Sequence, residues 1–217
     1  MKQKMRAKEI TSLAVFAAVA FVAMMVVKVP IVQWLKYEPK DILLVIASFI
    51  YGPAAGFMAI IAVSVVEMLT VSDTGFIGLA MNILASGTYC LAASYIYSRR
   101  RTLWGAVMGL IAGSVLTVVA MLLWNWLITP IYMGVPREMV TEMLLPVFLP
   151  FNSLKVCLNS AAAMLLYKPI VTTLRKARLL PPKEKGGAKN LLPVVLSMAT
   201  SVAILVGAIL LILSNTF

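Results

Sequence analysis

The sequence predicts an all-α integral membrane protein, with a bundle of six transmembrane helices followed by an additional C-terminal seventh. Of its 217 residues 62% are hydrophobic and 12% are charged, and the mean hydropathy is +0.98. Soluble domains usually carry about 25% charged residues. Several apolar runs reach the roughly 20 residues that a membrane-spanning helix needs. Short polar breaks separate these runs, as in a multi-pass membrane protein.

The first predicted span follows the basic segment MKQKMRAKE and covers the apolar run from Ile10 to Val27. The run is long, and no small-residue cleavage site precedes Lys28. We therefore interpret it as a retained helix rather than as a cleaved signal peptide. The polar and aromatic segment KVPIVQWLKYEPKD that follows is predicted to be a loop.

The next apolar run, Ile42 to Leu69, contains the segment YGPAAG. Because adjacent Gly and Pro residues mark turns, the run is predicted to form two helices, Pro39–Tyr51 and Pro53–Leu69. The remaining spans are predicted at Phe76–Tyr97, Leu103–Ile128, Leu144–Tyr167 and Leu191–Leu213. The chain then divides into a six-helix membrane domain (1–169), a basic cytoplasmic linker (170–190) and the added helix (191–217).

The distribution of basic residues gives the orientation. With the N-terminus in the cytoplasm, the cytoplasmic segments hold 14 of the 19 Lys and Arg residues. Cytoplasmic loops are enriched in Lys and Arg, so the net charge of +11 reflects membrane topology rather than nucleic-acid binding. Seven spans place the C-terminus outside. A single kinked span at YGPAAG would invert the later loops, which the positive-inside rule disfavours.

The span LLPVFLPFNSLKVCLNSAAAMLLY contains three polar residues on one face, Asn152, Lys155 and Asn159. Ionisable residues inside membrane helices usually face the bundle interior or a watery cavity. Lys155 lies roughly 15 Å along the helix from its outer end, at 1.5 Å per residue. The residues favour a polar substrate pocket open to the outside, with snorkelling of the lysine or helix–helix hydrogen bonding as the alternative.

Two further amides lie at similar depth on other helices. Asn125 stands between two tryptophans in LLWNWLITPIYMG, and Asn82 lies about two turns into its helix. Tryptophans often anchor helices at the membrane surface, but this does not explain the asparagine. Amides and aromatics together suit a neutral, planar, hydrogen-bonding ligand. Interhelical hydrogen bonding is the alternative interpretation.

Other features carry less information about chemistry. Ala14 and Ala18 form a small-xxx-small pair that favours close approach of another helix, within the protein or from a partner. Asp41 follows Pro39–Lys40 and is interpreted as a structural residue at a helix N-terminus. The sequence has no histidine and no P-loop, paired-carboxylate, nucleophile-elbow or metal-ligand pattern, so no enzyme, metal or cofactor is predicted. Cys90 and Cys157 are interpreted as buried hydrophobic residues.

Four motifs occur in order: LKYEPKDILLVIASFIYGPAAG, GFIGLAMNILASG, WNWLITPIY and LPFNSLK. With them the chain resembles, over about Ala7 to Pro169, the substrate-binding S components of energy-coupling factor (ECF) transporters, specifically the riboflavin type. LPFNSLK together with the asparagine and P-x-Y of WNWLITPIY is the most specific part. The resemblance implies a six-helix protein of the bacterial cell membrane that binds its vitamin near the extracellular face. It also implies docking on a shared transmembrane subunit with two ATPases, and toppling in the lipid bilayer. The added seventh helix departs from this pattern.

The resemblance also implies roles for individual residues. Asn125, Asn152 and Lys155 are expected to hydrogen-bond riboflavin, with Asn82 as a weaker match. Two residues of the first outer loop, Leu35 and Tyr37, are expected to pack near the flavin ring. The alanine pair Ala14 and Ala18 is expected to form the docking surface. FMN or flavin analogues remain open as ligands.

Three other interpretations remain open at this stage. An S component for thiamine, folate or pantothenate would keep the fold and change the pocket. A stand-alone secondary transporter often shows inverted repeats and discontinuous helices, and no convincing internal repeat is visible. A small membrane enzyme or scaffold would require a carboxylate cluster or metal site, which the sequence does not show.

Overall fold

The computed structural model describes residues 7–32 and 35–180, together with the two positions 203 and 207. The predicted helix Leu191–Leu213 lies outside the described residues apart from those two positions. The second part of the basic linker predicted for 170–190, residues 181–190, also lies outside them.

The described chain is helical apart from a short hairpin and the connecting turns. Five segments are long and apolar enough to cross a membrane, the last of them the composite Arg137–Lys176. The prediction of an all-α membrane bundle is thereby confirmed. The elements in chain order are α1 Ala7–Val26, β1 Val29–Val32, β2 Leu35–Tyr37, α2 Lys40–Tyr51, α3 Pro53–Thr70, α4 Gly75–Arg99, α5 Leu103–Met133, α6 Arg137–Met143, a π-helical turn Leu144–Phe148 and α7 Leu149–Lys176.

The break at YGPAAG separates α2 from α3 as predicted. Gly52 lies between the two helices with φ of 91°, a conformation that residues with a Cβ rarely adopt. Pro53 then occupies the first turn of α3, where its missing N–H is not needed. The two helices are therefore distinct elements rather than one kinked span.

The connection between α1 and α2, predicted as the first outer loop, is a β-hairpin, which the sequence prediction missed. Strands β1 and β2 pair antiparallel, with Val29 opposite Tyr37 and Pro30 opposite Lys36. The strands have only four and three residues, and β1 contains a proline, so the alternation that signals a strand is too short to recognise. Ile31 and Tyr37 form a small apolar cluster with α7 residues. This contact holds the hairpin against α7.

Two helices extend beyond their predicted ends. Helix α5 continues through Pro130 to Met133, and α7 continues through Pro169 to Lys176. The predicted break at TPIYMG and the first residues of the predicted linker are therefore helical. Membrane helices tolerate proline because neighbouring groups satisfy the freed carbonyl. The rest of the predicted polar break forms the short helix α6.

Helix α2 is the central element of the bundle, since it packs against α1, α3, α4 and α7. Its residues Val45, Ile46 and Ala47 are completely buried. On the other side of α4, α5 approaches so closely that a Cβ on Gly109 would lie 2.5 Å from the Ala93 carbonyl oxygen. This packing places the first turn of α2 inside the bundle, at the end that carries the hairpin.

Candidate functional site

A cavity of about 330 Å³ lies at the end of the bundle that carries the hairpin. Its wall receives residues from the hairpin, from helices α2 to α5, from the π-helical turn and from α7. Aromatic and apolar side chains alternate there with amides and charged groups. The principal lining residues are Leu35, Asp41, Glu67, Met81, Asn82, Tyr89, Thr117, Met121, Asn125, Phe148, Phe151, Asn152, Lys155 and Val156.

The structure brings together five of the six residues predicted to bind a ligand. Asn82 from α4, Asn125 from α5, and Asn152 and Lys155 from α7 all line the cavity, and Leu35 reaches it from β2. These residues come from four elements that are far apart in sequence. Their meeting at one cavity makes this cavity the candidate binding site.

Asn125 and Asn152 make matching contacts on their own helices. Asn125 Nδ2 donates to the Met121 carbonyl oxygen at 2.6 Å, and Asn152 Nδ2 donates to the Phe148 carbonyl oxygen at 2.7 Å. Thr129 donates to Asn125 Oδ1 at 3.0 Å. A carboxamide nitrogen carries two N–H donors. Each amide therefore keeps one donor beyond the contact that fixes its orientation.

Lys155 forms an ion pair across the cavity wall with Asp41, with 3.9 Å between Nζ and Oδ2. The Lys155 side chain is 18% exposed, whereas Asp41 is buried. Ser86 on α4 donates to Asp41 Oδ1 at 2.5 Å. The sequence interpretation treated Asp41 as a structural helix-start residue, but its carboxylate lies in the wall of the cavity.

A second ion pair lies beside the first. Lys40 is only 1% exposed, and its ammonium forms an ion pair with the Glu67 carboxylate in the last turn of α3. The Lys40 Nζ also lies 3.7 Å from Glu38 Oε2. Asn82 donates to Glu67 Oε1 at 2.8 Å. Both members of this ion pair fall within helices predicted from the sequence, Pro39–Tyr51 and Pro53–Leu69, but the sequence gave no sign that they are buried together.

Tyr37 is placed differently from the other predicted site residues, since it is not among the residues that line the cavity. Its hydroxyl donates to Asn159 Oδ1 at 2.9 Å, and Asn159 Nδ2 lies 3.5 Å from Asp41 Oδ2. Burial, and to a lesser extent the Asp41 carboxylate, raises the pKa of Tyr37. The phenol thus stays protonated and holds the hairpin to α7.

Several lining residues were missed by the sequence analysis. Thr117 and Met121 precede Asn125 by eight and four residues, so helical periodicity could have placed them on the same face. Phe148 ends the π-helical turn and Phe151 lies in the first turn of α7. Apolar aromatic residues are expected throughout a membrane span, so the sequence gave no reason to single these two out. These aromatic side chains supply flat apolar surface next to the amides.

The alanine pair predicted as a docking surface lies on the outside of α1. Ala14 and Ala18 are exposed, whereas Phe16 and Ala20 on the same helix are buried in the core. In the part of the chain that the structure describes, no other element covers this face. Among residues 7–32 and 35–180 this surface is therefore open to another helix or to lipid.

Comparisons with known proteins give matches to one family of membrane transporters. The family model for the substrate-specific component of ECF transporters matches residues 8–167. The chain is 24% identical over 181 residues to the riboflavin transporter RibU of Streptococcus thermophilus, covering 78% of this chain and 85% of that protein. It is 25% identical over 179 residues to RibU of Staphylococcus aureus, covering 78% and 93%.

A solved structure of the S component of a bacterial ECF transporter has the same fold. The match has a TM-score of 0.67 at 24% identity, and it covers 79% of this chain and 99% of that one.

Proposed function

Because the chain belongs to the substrate-specific components of ECF transporters, we propose that it is the riboflavin-binding subunit of a bacterial vitamin importer. The observation that carries the proposal is the convergence of Asn125, Asn152 and Lys155 on one cavity. Two relatives named riboflavin transporters support the choice of vitamin.

The chemistry of the cavity suits riboflavin. Its volume falls within the roughly 300–1,000 Å³ typical of small-molecule sites. The ring system of riboflavin is planar and presents oxygen and nitrogen atoms along its edges, and its ribityl chain carries hydroxyls. The spare donors of Asn125 and Asn152 and the Lys155 ammonium can hydrogen-bond these groups. Phe148 and Phe151 offer flat apolar surface for the ring.

The remaining predicted residues take supporting roles in the proposal. Leu35 packs near the ring from β2, and Tyr37 holds that strand to α7 through Asn159. Asn82 is the weaker match to the family among the amides. Its Nδ2 donates to Glu67 Oε1, so like Asn125 and Asn152 it keeps one N–H donor for the ligand. No cofactor is proposed, because the flavin is the transported ligand.

The proposal is tested by identifying what the purified protein carries. The protein is extracted in detergent from cells grown in rich medium and denatured, and the released material is analysed by absorbance and chromatography. We expect a yellow flavin in stoichiometric amount. A colourless preparation that also fails to quench the fluorescence of added riboflavin would contradict the assignment. It would favour an S component for another vitamin with the same fold.

Transport requires partners, and we propose that the exposed α1 face is where they dock. Ala14 and Ala18 would contact the transmembrane subunit of the ECF module, with two ATPase subunits supplying the energy. The proposed orientation puts the N-terminus in the cytoplasm and the C-terminus outside. The cavity then opens toward the extracellular face, since the hairpin follows the first span.

Replacing Ala14 and Ala18 with leucine is expected to separate binding from transport. ATP-dependent riboflavin uptake should fall roughly tenfold or more, because bulky side chains prevent close helix approach. Uptake is measured in cells or proteoliposomes containing the full ECF complex, and affinity is measured on the purified variant. Val119→Leu, on the exposed face of α5, is the control. Unchanged uptake in the double leucine variant would rule out docking through this face.

A further inference from the structure

We propose that Asp41 is a positioning residue for the ligand, because it fixes the Lys155 ammonium in the cavity wall. The inference rests on the proposed function and adds a residue that the sequence gave no reason to place in the site. Asp41 does not need to touch the ligand in this role. It acts by determining where the lysine charge is presented.

Asp41 is held by contacts from two other helices. Its Oδ1 accepts from Ser86 on α4 at 2.5 Å, and its Oδ2 faces Asn159 on α7 at 3.5 Å. The carboxylate is only 3% exposed. A buried carboxylate with hydrogen bonds from fixed neighbours has little freedom to move. It therefore provides a fixed negative charge inside the wall.

Lys155 needs such an anchor. A lysine side chain has a flexible four-carbon stem, so its charge is not oriented by its own backbone. The separation of 3.9 Å from Asp41 Oδ2 is too long for a strong hydrogen bond. The carboxylate thus attracts the ammonium while leaving its N–H donors for an acceptor in the cavity. With 18% of the side chain exposed, the ammonium is accessible from that cavity.

The same carboxylate is linked to the hairpin. Tyr37 donates to Asn159, and Asn159 also faces Asp41, so one amide joins β2 to the charge pair. Leu35, on the same short strand as Tyr37, lines the cavity. Asp41 therefore lies where the first turn of α2, the hairpin and the ligand-facing lysine meet.

A double-mutant cycle tests the proposal on the purified full-length protein. Riboflavin affinity is measured by fluorescence quenching for the wild type, Asp41→Asn, Lys155→Met and the double variant. We expect Asp41→Asn to weaken binding roughly tenfold in the wild-type background and less than about twofold in the Lys155→Met background, since contacting residues are energetically coupled. Asp41→Glu, which keeps the charge, should retain most of the affinity.

Two results would overturn the positioning role. One is wild-type affinity in Asp41→Asn. The other is an equal loss in both backgrounds, because a carboxylate that only supports the fold would act independently of Lys155. If Asp41→Asn cannot be purified folded, Ser86→Ala replaces it in the cycle. That change removes the hydrogen bond that orients the carboxylate but keeps its charge, and the same dependence on Lys155 is expected.

A ligand-free measurement separates this proposal from the assignment of riboflavin. The melting temperatures of the same four proteins in detergent report whether Asp41 and Lys155 interact at all. If the effects of the two substitutions on the melting temperature depend on each other but the wild type binds no riboflavin, only the vitamin assignment would be overturned. If the two substitutions lower the melting temperature additively while the wild type binds riboflavin normally, the role of Asp41 alone would be overturned.

Discussion

Lys155→Met is expected to weaken riboflavin binding roughly 10- to 100-fold, because a hydrogen bond from a charged donor contributes about 1.5–3 kcal/mol. The variant loses the only cation on α7 that lines the described cavity. It also leaves the buried Asp41 carboxylate without its ion-pair partner. Affinity is measured by quenching of flavin fluorescence on purified protein.

The control for this prediction is Lys168→Met. Lys168 lies on the same helix but is exposed and does not line the cavity. The Lys168→Met variant should bind riboflavin with the affinity of the wild type. Equal affinity of Lys155→Met and Lys168→Met would remove Lys155 from the binding site. Gel filtration of both variants establishes that the bundle is folded.

Lys40→Met is expected to give the largest loss of stability among the variants considered. Lys40 is almost completely buried against Glu67. Removing one member of a buried ion pair costs about 3–5 kcal/mol, because the other charge is left uncompensated. For a protein of this size that corresponds to a melting temperature lower by roughly 6–20 °C. The measurement is thermal unfolding in detergent without ligand.

Two further variants serve as controls for the Lys40→Met result. Lys36→Met, on the exposed side of the hairpin, should change the melting temperature little. Adding Glu67→Gln to Lys40→Met should recover part of the loss, since no buried charge then remains unpaired. A melting temperature of Lys40→Met equal to that of Lys36→Met would show that the buried pair does not stabilise the bundle.

The helices of this fold could be predicted from the sequence because each is encoded locally. Apolar runs of sufficient length gave the spans, and the glycine and proline of YGPAAG gave the division between α2 and α3. The ends were harder to predict where proline occurs inside a helix. At Pro130 and Pro169 the surrounding bundle maintains a helix that local rules would end.

The amides and the lysine of the candidate site could be predicted from the sequence, whereas its acidic residues could not. Asn125, Asn152 and Lys155 stand out because polar side chains are costly in an apolar span. Asp41 and Glu67 lie at the ends of apolar runs, where acidic residues are common and give no signal. Their partners are distant in sequence, and such pairing depends on how helices pack. Tertiary structure was therefore needed to identify both ion pairs.

The hairpin was also not predictable from the sequence. Strands of three and four residues contain too few positions for a period of two to be recognised. Tyr37 was predicted to pack near the ligand, and in the structure its hydroxyl donates to Asn159, a contact of which the sequence gave no sign. The three-dimensional fold was needed to identify this loop as a hydrogen-bonded hairpin.

The pairing of buried charges has an electrical consequence. The residues at or beside the cavity include four lysines and four acidic residues, namely Lys28, Lys36, Lys40, Lys155, Glu38, Asp41, Glu67 and Asp73. Moving one uncompensated charge through a membrane potential changes the energy by about 2.3 kcal/mol per 100 mV. Because the positive and negative side chains around the cavity balance, almost no net charge moves when this region shifts within the bilayer. The resting potential of the cell would then neither drive nor oppose the movement of a neutral ligand bound there.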